Sequence, residues 1–183
     1  HLKLQLLKLF LAQFRYLMYS FVVFNDTNYI SDLKIHTLTQ YQEIPISLED
    51  AWKFFSKPEN LNEITPPDLE FRITSGKPES MHDGQIVTYK IRVAPMIWNT
   101  WVTEIKSVIP ETQFVDEQRS GPYKFWHHLH EFESTDKGTI IKDKVNYALP
   151  FGIFGDIAHS IYVKKKLTDI FGYRKKILTE RFG

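Results

Sequence analysis

The sequence predicts an α+β domain in which one antiparallel sheet packs against a long C-terminal helix. Segments that alternate apolar and polar side chains, as half-buried strands do, follow one another from residue 70 to residue 148. The separators between them are short and rich in turn residues, which leaves no room for crossover helices and favours antiparallel pairing. A single helical pattern then covers Asp156–Phe182 and needs a partner surface of matching length.

The composition is typical of one globular domain. The chain has 183 residues, of which 43% are hydrophobic, 25% charged and 15% aromatic. A net charge of +1 argues against a nucleic acid as the partner. The basic runs Lys164–Lys166 and Arg174–Lys176 are therefore expected to form a solvated face of the last helix. The chain has no cysteine, which excludes disulfides and thiolate sites and fits a cytoplasmic protein.

Residues 1–32 are predicted to be an appendage outside the domain. The segment His1–Phe24 is rich in Leu and Phe, but Lys8 and Arg15 interrupt it. These charges argue against a signal sequence and against a membrane span, so no stable membrane insertion is expected. We interpret residues 1–32 as an amphipathic or non-native segment and expect the domain to comprise residues 33–183.

Within the domain, the predicted order is one strand, two short helices, six strands and a helix. Lys34–Ile44 alternates as a strand, Ser47 is expected to cap the first helix, and Pro58 is expected to open the second. The six further strands are predicted over Glu70–Thr74, Gln85–Val93, Ile97–Ser107, Gln113–Arg119, Lys124–Phe132 and Thr139–Ala148. The apolar stripe of the last helix is expected to consist of Ile157, Ile161, Val163, Leu167, Ile170, Phe171, Ile177 and Leu178.

The last two predicted strands form a hairpin whose two faces differ. Side chains two residues apart share one face of a strand. One face is therefore expected to be aromatic and apolar, with two imidazoles and one carboxylate, and to consist of Trp126, His128, His130, Phe132, Thr139, Ile141, Asp143, Val145 and Tyr147. The opposite face is more charged. A ligand is expected to meet the first face.

Three stretches of the chain resemble the SRPBCC superfamily of START-like proteins. They are PISLEDAWKFFSKPENLNEITPP, then GPYKFWHHLHEF followed by GTIIKDKVNYALPFG, and finally VKKKLTDIFGYRKKIL. The second is similar to a bacterial subgroup of ligand-binding, polyketide cyclase/dehydrase-like members. The resemblance covers about Lys34 to Leu178 and implies the helix-grip fold. In that fold a bent antiparallel sheet of about seven strands wraps around the C-terminal helix and leaves a cavity.

The resemblance implies that the cavity binds a small apolar or aromatic molecule, such as a lipid or a polyketide-like compound. One alternative is a cyclase, dehydratase or isomerase that uses a histidine as general base. Another is a protein-interaction module whose core is filled by side chains. No nucleotide-binding or hydrolase motif occurs in the sequence, and no cofactor is predicted. A sugar-nucleotide-epimerase-like partner is implied by the resemblance alone.

His128, His130 and Asp143 are the candidate catalytic residues. The two histidines lie two residues apart on one strand, and Asp143 is on the next strand. Imidazoles beside a carboxylate suit acid or base chemistry near neutral pH. The HxH spacing also suits a metal ion, but no second histidine pair or carboxylate cluster supports one, so no metal is predicted. The alternative is a structural role, with both histidines hydrogen-bonded to Asp143, Glu104 or a backbone carbonyl.

Aromatic and arginine side chains on the strands are the candidate ligand contacts. The predicted cavity lining consists of Trp126, Phe132, Tyr147, Trp98, Trp101, Tyr89 and Phe114. Each of these is equally suited to an ordinary core position. Arg92 and Arg119 are borne on strands, and an arginine that points inward would pair with a carboxylate or phosphate of the ligand.

Overall fold

The computed structural model describes residues 34–76, 80–94, 96–150, 156 and 159–183. The helices and strands are β1 His36–Ile44, α1 Leu48–Phe55, α2 Pro58–Leu61, β2 Arg72–Ile73, β3 Ile86–Ala94, β4 Ile97–Ile109, β5 Gln113–Ser120, β6 Phe125–Thr135, β7 Gly138–Ala148 and α3 Lys164–Phe182. A 3-10 turn at Pro67–Leu69 precedes β2. The predicted appendage at residues 1–32 lies outside the described residues and stays a prediction. No helix in the described part of the chain is long and apolar enough to cross a membrane.

All seven strands form one antiparallel sheet in the order β1-β7-β6-β5-β4-β3-β2. Consecutive strands from β2 to β7 are neighbours, as the short turn-rich separators predict, and β1 pairs with β7. The predicted strand Glu70–Thr74 is shorter than expected, because only Arg72–Ile73 pairs with β3. The predicted α+β helix-grip fold is confirmed.

Irregular pairing in the middle strands bends the sheet. The pairing of β3 with β4 shifts between Arg92 and Ala94, and the pairing of β4 with β5 shifts twice, once where Arg119 of β5 is left between the paired residues Gln118 and Ser120. A bulge places two residues opposite one and increases the local twist. The sheet therefore has a concave face, and the buried side chains of α3 pack on it.

The two short helices begin where the sequence predicts. The Ser47 side chain accepts a hydrogen bond of 3.1 Å from the backbone N–H of Asp50, which caps α1. The helix buries Ala51, Phe54 and Phe55. Pro58 is the first residue of α2. These helices close one side of the core.

The last helix differs from the predicted pattern at its start. Residues His159–Val163 form a π-helical turn before α3 begins. Hydrogen bonds to the fifth residue change the phase of the side chains, so Ile161, predicted to be in the apolar stripe, is 74% exposed. Ile157 lies outside the described residues. Farther along, the buried residues are Leu167, Phe171, Arg174 and Leu178.

The burial of Arg174 corrects the expectation that both basic runs are solvated. Arg174 lies seven residues after Leu167 and three after Phe171, so it occupies the stripe of the helix that faces the sheet. Its guanidinium carbon is 5.4 Å from the centre of the Phe171 ring. Spacing along the helix, rather than membership in a basic run, determines its environment.

The predicted division of the hairpin into two faces is confirmed. All nine residues assigned to the apolar face are buried. His130 pairs directly with Asp143 across β6 and β7, so the strand register that the sequence left open brings the imidazole and the carboxylate together.

Candidate functional site

A cavity of about 340 Å³ lies between the concave face of the sheet and α3. Most of its lining is apolar and includes Phe71, Val87, Tyr89, Trp101, Phe114 and Trp126 from the sheet and Leu167, Ile170 and Phe171 from α3. The polar residues in the lining include Thr103, Asp116, His128, His130 and Arg174. The cavity volume lies at the lower end of the roughly 300–1,000 Å³ typical of small-molecule sites.

Two histidines and two aspartates form a cluster on three neighbouring strands. Asp116 of β5 pairs with His128 of β6, and His130 of β6 pairs with Asp143 of β7. All four side chains are on the concave face of the sheet. The two histidines lie two residues apart on one strand, and each aspartate lies directly opposite one of them on a neighbouring strand. We call these four residues the His–Asp cluster.

Each imidazole of the His–Asp cluster lies between the two carboxylates. His128 Nε2 donates to Asp143 Oδ1 at 2.8 Å, and His130 Nε2 donates to Asp116 Oδ2 at 2.9 Å. The remaining nitrogens are also close, with His128 Nδ1 3.1 Å from Asp116 Oδ2 and His130 Nδ1 3.0 Å from Asp143 Oδ1. The two ring centres are 3.7 Å apart. All four nitrogens therefore lie within 3.1 Å of a carboxylate oxygen, and His130 Nδ1 is the one of them that is buried without a hydrogen bond to a described residue.

Residues around the His–Asp cluster hold its carboxylates in place. Arg174 Nη1 of α3 donates to Asp143 Oδ1 at 3.1 Å, and Trp126 Nε1 donates to Asp116 Oδ1 at 2.8 Å. The Phe171 ring packs edge-on against His128, with 5.7 Å between ring centres. Because Arg174 and Phe171 come from α3, docking of the helix completes the cluster.

The charges in the His–Asp cluster stabilise one another. Burial by itself would lower the pKa of His128, but the charge of Asp116 and the contacts with both carboxylates outweigh it and raise this pKa to about 9. Burial would raise the pKa of Asp143, but the Arg174 charge and the two histidines hold it well below its ordinary value. His128 likewise keeps the pKa of Asp116 low against the effect of burial. At neutral pH both carboxylates are ionised and His128 is an imidazolium.

The raised pKa of His128 predicts a stability that falls in alkaline solution. A folded-state pKa of about 9 against an ordinary 6.5 means that the contribution of His128 is complete below about pH 6.5 and is lost as the pH rises through about 9. The two aspartates contribute in the opposite sense, and their share is lost only below about pH 4. We expect the free energy of unfolding, measured with urea in buffer containing EDTA, to fall by about 1–3 kcal/mol as the pH rises from about 6.5 to about 9.

The matched comparison for this pH series is His128→Gln against His127→Gln. His127 lies on the same strand but faces the other side of the sheet. The alkaline decline should vanish in His128→Gln and persist in His127→Gln. A decline of equal size in both variants would show that other groups cause it.

The structure places four of the seven predicted aromatic residues in the cavity lining and three elsewhere. Tyr89, Trp101, Phe114 and Trp126 contact the cavity. Phe132 is buried outside it, against Trp52 at 5.6 Å between ring centres. Tyr147 is also buried outside it, and its hydroxyl is 2.9 Å from His159 Nε2. These two side chains belong to the packed core.

Trp98, Arg92 and Arg119 correct the sequence-based expectation, because none of them lines the cavity. Trp98 is 42% exposed and lies under the Arg72 guanidinium at 5.1 Å. Arg92 pairs with Glu70 at 2.6 Å, and Arg119 pairs with Glu104. Each of the three lies an odd number of residues from an inward-facing residue of its own strand, so alternation directs it to the convex face.

Asp116 and Arg174 are the site residues that sequence reasoning missed. Asp116 lies two residues after Phe114 on a strand, which assigns it to the same inward face. Alternation along the strand therefore predicts that Asp116 faces inward, and helical spacing from Leu167 predicts the same for Arg174. Glu104, named as a possible histidine partner, instead pairs with Arg119.

Comparison with protein families identifies the family of this chain. Residues 44–166, more than half of the chain, match the family described as polyketide cyclase/dehydrase and lipid transport. The chain belongs to this family. Its place in the SRPBCC superfamily, which the three sequence stretches indicate, is thereby confirmed. A comparison with curated proteins found no match.

Solved structures share the fold of this polyketide cyclase/dehydrase-like chain at low sequence identity. A nucleoside-diphosphate sugar epimerase from Corynebacterium glutamicum aligns with a TM-score of 0.57 and 24% identity over 78% of this chain, which spans only 28% of the epimerase. Major latex-like protein 151 from Panax ginseng aligns with a TM-score of 0.59 and 12% identity, covering 81% of this chain and 98% of that one. A Thalictrum norcoclaurine synthase mutant has a TM-score of 0.57 and 16% identity over 82% and 98% of the two chains. At these identities the likeness extends to the fold alone.

Proposed function

We propose that this protein binds a small, predominantly apolar or aromatic molecule in the cavity between the sheet and α3. The observation that carries the proposal is the cavity of about 340 Å³ itself, whose lining is mostly aromatic and aliphatic. Burying an apolar ligand there gains roughly 25 cal/mol for each Å² removed from water. The family description, which includes lipid transport, supports the same class of ligand.

The polar atoms of the lining suggest that the ligand also carries at least one hydrogen-bonding group. The indole nitrogen of Trp101 is buried and has no hydrogen-bond partner among the described residues. Leaving a buried donor unpaired costs about 1–3 kcal/mol. A ligand oxygen at this point would accept from Trp101, while the neighbouring Thr103 hydroxyl is 3.2 Å from the Tyr89 hydroxyl. We therefore expect a carbonyl or hydroxyl group on an otherwise apolar molecule.

Filling the cavity is expected to abolish ligand binding without unfolding the protein. Val87 is buried and lines the cavity, so the larger side chain in Val87→Phe would occupy ligand space. We expect native mass spectrometry of the full chain to show a discrete added mass that denaturation removes and that Val87→Phe lacks. The affinity for the fluorescent probe 1-anilinonaphthalene-8-sulfonate should fall at least tenfold in this variant.

Two control variants separate loss of the cavity from a general disturbance. Ile86→Phe changes the adjacent, half-exposed residue on the other face and should leave probe binding unchanged. Val145→Phe enlarges a fully buried side chain outside the cavity and should lower the free energy of unfolding by about 1–3 kcal/mol. Two results together would show that side chains fill the core and would favour the interaction-module alternative. In the first, Val87→Phe destabilises the protein as much as Val145→Phe does. In the second, the wild type neither binds the probe nor shows an added mass.

Catalysis on the bound molecule is the second candidate function, because His128, His130 and Asp116 all line the cavity. With its pKa raised to about 9, His128 would serve in such a reaction as a proton donor, whereas the sequence alone suggests a histidine as general base. Cyclisation, dehydration or isomerisation of a polyketide-like substrate would use such a group. Turnover that is lost in His128→Gln while probe affinity is unchanged would support catalysis, and unchanged turnover would exclude His128 as the proton donor.

A cytoplasmic location and an epimerase-like partner complete the proposal. The absence of cysteine suits a reducing compartment. The alignment with 28% of the Corynebacterium sugar epimerase supports association with an epimerase-like domain, because a region with this fold is part of that longer chain.

A further inference from the structure

Three atoms of the His–Asp cluster converge at one point on the cavity wall. Asp116 Oδ2 is 3.1 Å from His128 Nδ1 and 2.9 Å from His130 Nε2. One ligand atom from each of these residues lies within 4.8 Å of the others. Two ligands bound to one metal ion at about 2.0–2.2 Å are roughly 3.0–3.5 Å apart, so the contact of 3.1 Å already suits a shared ion and the contact of 2.9 Å would have to lengthen slightly.

The opposite side of the His128 imidazole is arranged as in metal-bound histidines, and that of His130 lies near the same carboxylate. Asp143 Oδ1 accepts from His128 Nε2 at 2.8 Å; it also lies 3.0 Å from His130 Nδ1, which makes no hydrogen bond to any described residue. Histidines that bind metals typically give their second nitrogen to a carboxylate, which orients the ring and strengthens the bond to the metal. The other oxygen of Asp116 is held by Trp126 at 2.8 Å. Asp143 and Trp126 therefore hold the site from outside, and a bound ion would replace the protons of His128 Nδ1 and His130 Nε2 that now face Asp116 Oδ2.

The charge distribution distinguishes the two carboxylates. Asp143 is paired with the buried guanidinium of Arg174 at 3.1 Å, and a second cation beside it would be repelled. Asp116 has no arginine or lysine partner among the ion pairs of the described residues. Asp116, His128 and His130 all line the cavity, whereas Asp143 does not. An ion at Asp116 would thus have open coordination positions directed at the cavity.

We propose that Asp116, His128 and His130 bind one divalent first-row transition metal ion on the cavity wall, with Asp143 and Trp126 as the orienting residues. Two imidazoles and one carboxylate suit Zn²⁺, Fe²⁺, Co²⁺, Ni²⁺ or Cu²⁺, whereas Mg²⁺ and Ca²⁺ prefer sites made of oxygen alone. The HxH spacing hinted at such a site, but the carboxylate that completes it is Asp116, on the strand before. This inference goes beyond the proposed function, because the site exists whether or not an organic molecule occupies the cavity.

Titration of the metal-free full chain with Co²⁺ tests the proposal. After EDTA treatment and desalting, we expect isothermal titration calorimetry to show one equivalent of Co²⁺ per chain, accompanied by visible absorption of the bound ion. Asp116→Asn and His130→Gln each remove one ligand and should weaken binding at least about 100-fold. Asp143→Asn removes an orienting partner and should weaken it about 10- to 100-fold.

His127→Gln is the matched control, because it removes an imidazole from the same strand on the opposite face and should leave Co²⁺ binding unchanged. Circular dichroism checks the fold of each variant, and if Asp116→Asn does not fold, His130→Gln and Trp126→Phe carry the comparison. Absence of saturable Co²⁺ and Zn²⁺ binding to the wild type would overturn the proposal. Equal binding by wild type and His130→Gln would overturn it as well.

Discussion

Replacing Asp143 by asparagine is expected to lower the free energy of unfolding by about 3–5 kcal/mol, because it breaks a buried ion pair and leaves one partner charged. Asp143 is only 6% exposed and receives hydrogen bonds from Arg174 at 3.1 Å and His128 at 2.8 Å. The neutral amide cannot balance the guanidinium, which α3 holds against the sheet. Urea unfolding of both proteins, followed by circular dichroism, measures the difference.

The same substitution in an exposed pair provides the control. Asp169 contacts Lys165 at 2.6 Å on the surface of α3, and Asp169→Asn is expected to change stability by no more than about 1 kcal/mol. Adding Arg174→Met to Asp143→Asn should recover part of the loss, because no unpaired charge then remains buried. A loss below about 1 kcal/mol in Asp143→Asn alone would show that Arg174 reaches solvent and that the His–Asp cluster is not sealed by α3.

Replacing Gly138 by alanine is expected to lower the free energy of unfolding by about 3 kcal/mol. Gly138 begins β7 with a φ of +139°, a conformation that residues with a side chain rarely adopt. An added Cβ would lie 2.8 Å from the Cα of Pro45 and would also collide with the backbone carbonyl of Ile44. Both obstacles are backbone atoms, so a side-chain rotation cannot relieve them. The hairpin that carries His128 and His130 would have to move away from the end of β1.

Gly172→Ala is the matched control, and its effect on the free energy of unfolding should have the opposite sign. Gly172 lies within α3, and an added Cβ there meets nothing within 4 Å. Alanine is favoured over glycine inside a helix by roughly 0.5–1 kcal/mol, so this variant should be more stable than the wild type. Thermal unfolding of the two variants checks both signs. A Gly138→Ala protein as stable as the wild type would contradict the close approach of β1 to the hairpin.

The errors among the predicted cavity residues have one origin. Trp98 and Trp101 lie three residues apart on one strand and must face opposite sides, so they cannot both line the cavity as the sequence-based interpretation expects. Arg92 and Arg119 have the chemistry of ligand-binding residues, but they lie an odd number of residues from Tyr89 and Phe114, so alternation directs both outward. Asp116 shows the complementary case, because it lies two residues after Phe114 and alternation therefore places it on the concave face.

The sequence by itself determined the order of elements, the antiparallel pairing and the face that each hairpin residue occupies. These follow from local rules, because alternation, helical spacing and turn length depend on residues close together in the chain. Only the tertiary structure decided that His128 and His130 lie between Asp116 and Asp143, that Arg174 completes the cluster, and that a cavity remains beside it. Those facts depend on strand register, on bulges and on where the last helix docks. Such contacts join residues far apart in sequence, and no local pattern specifies them.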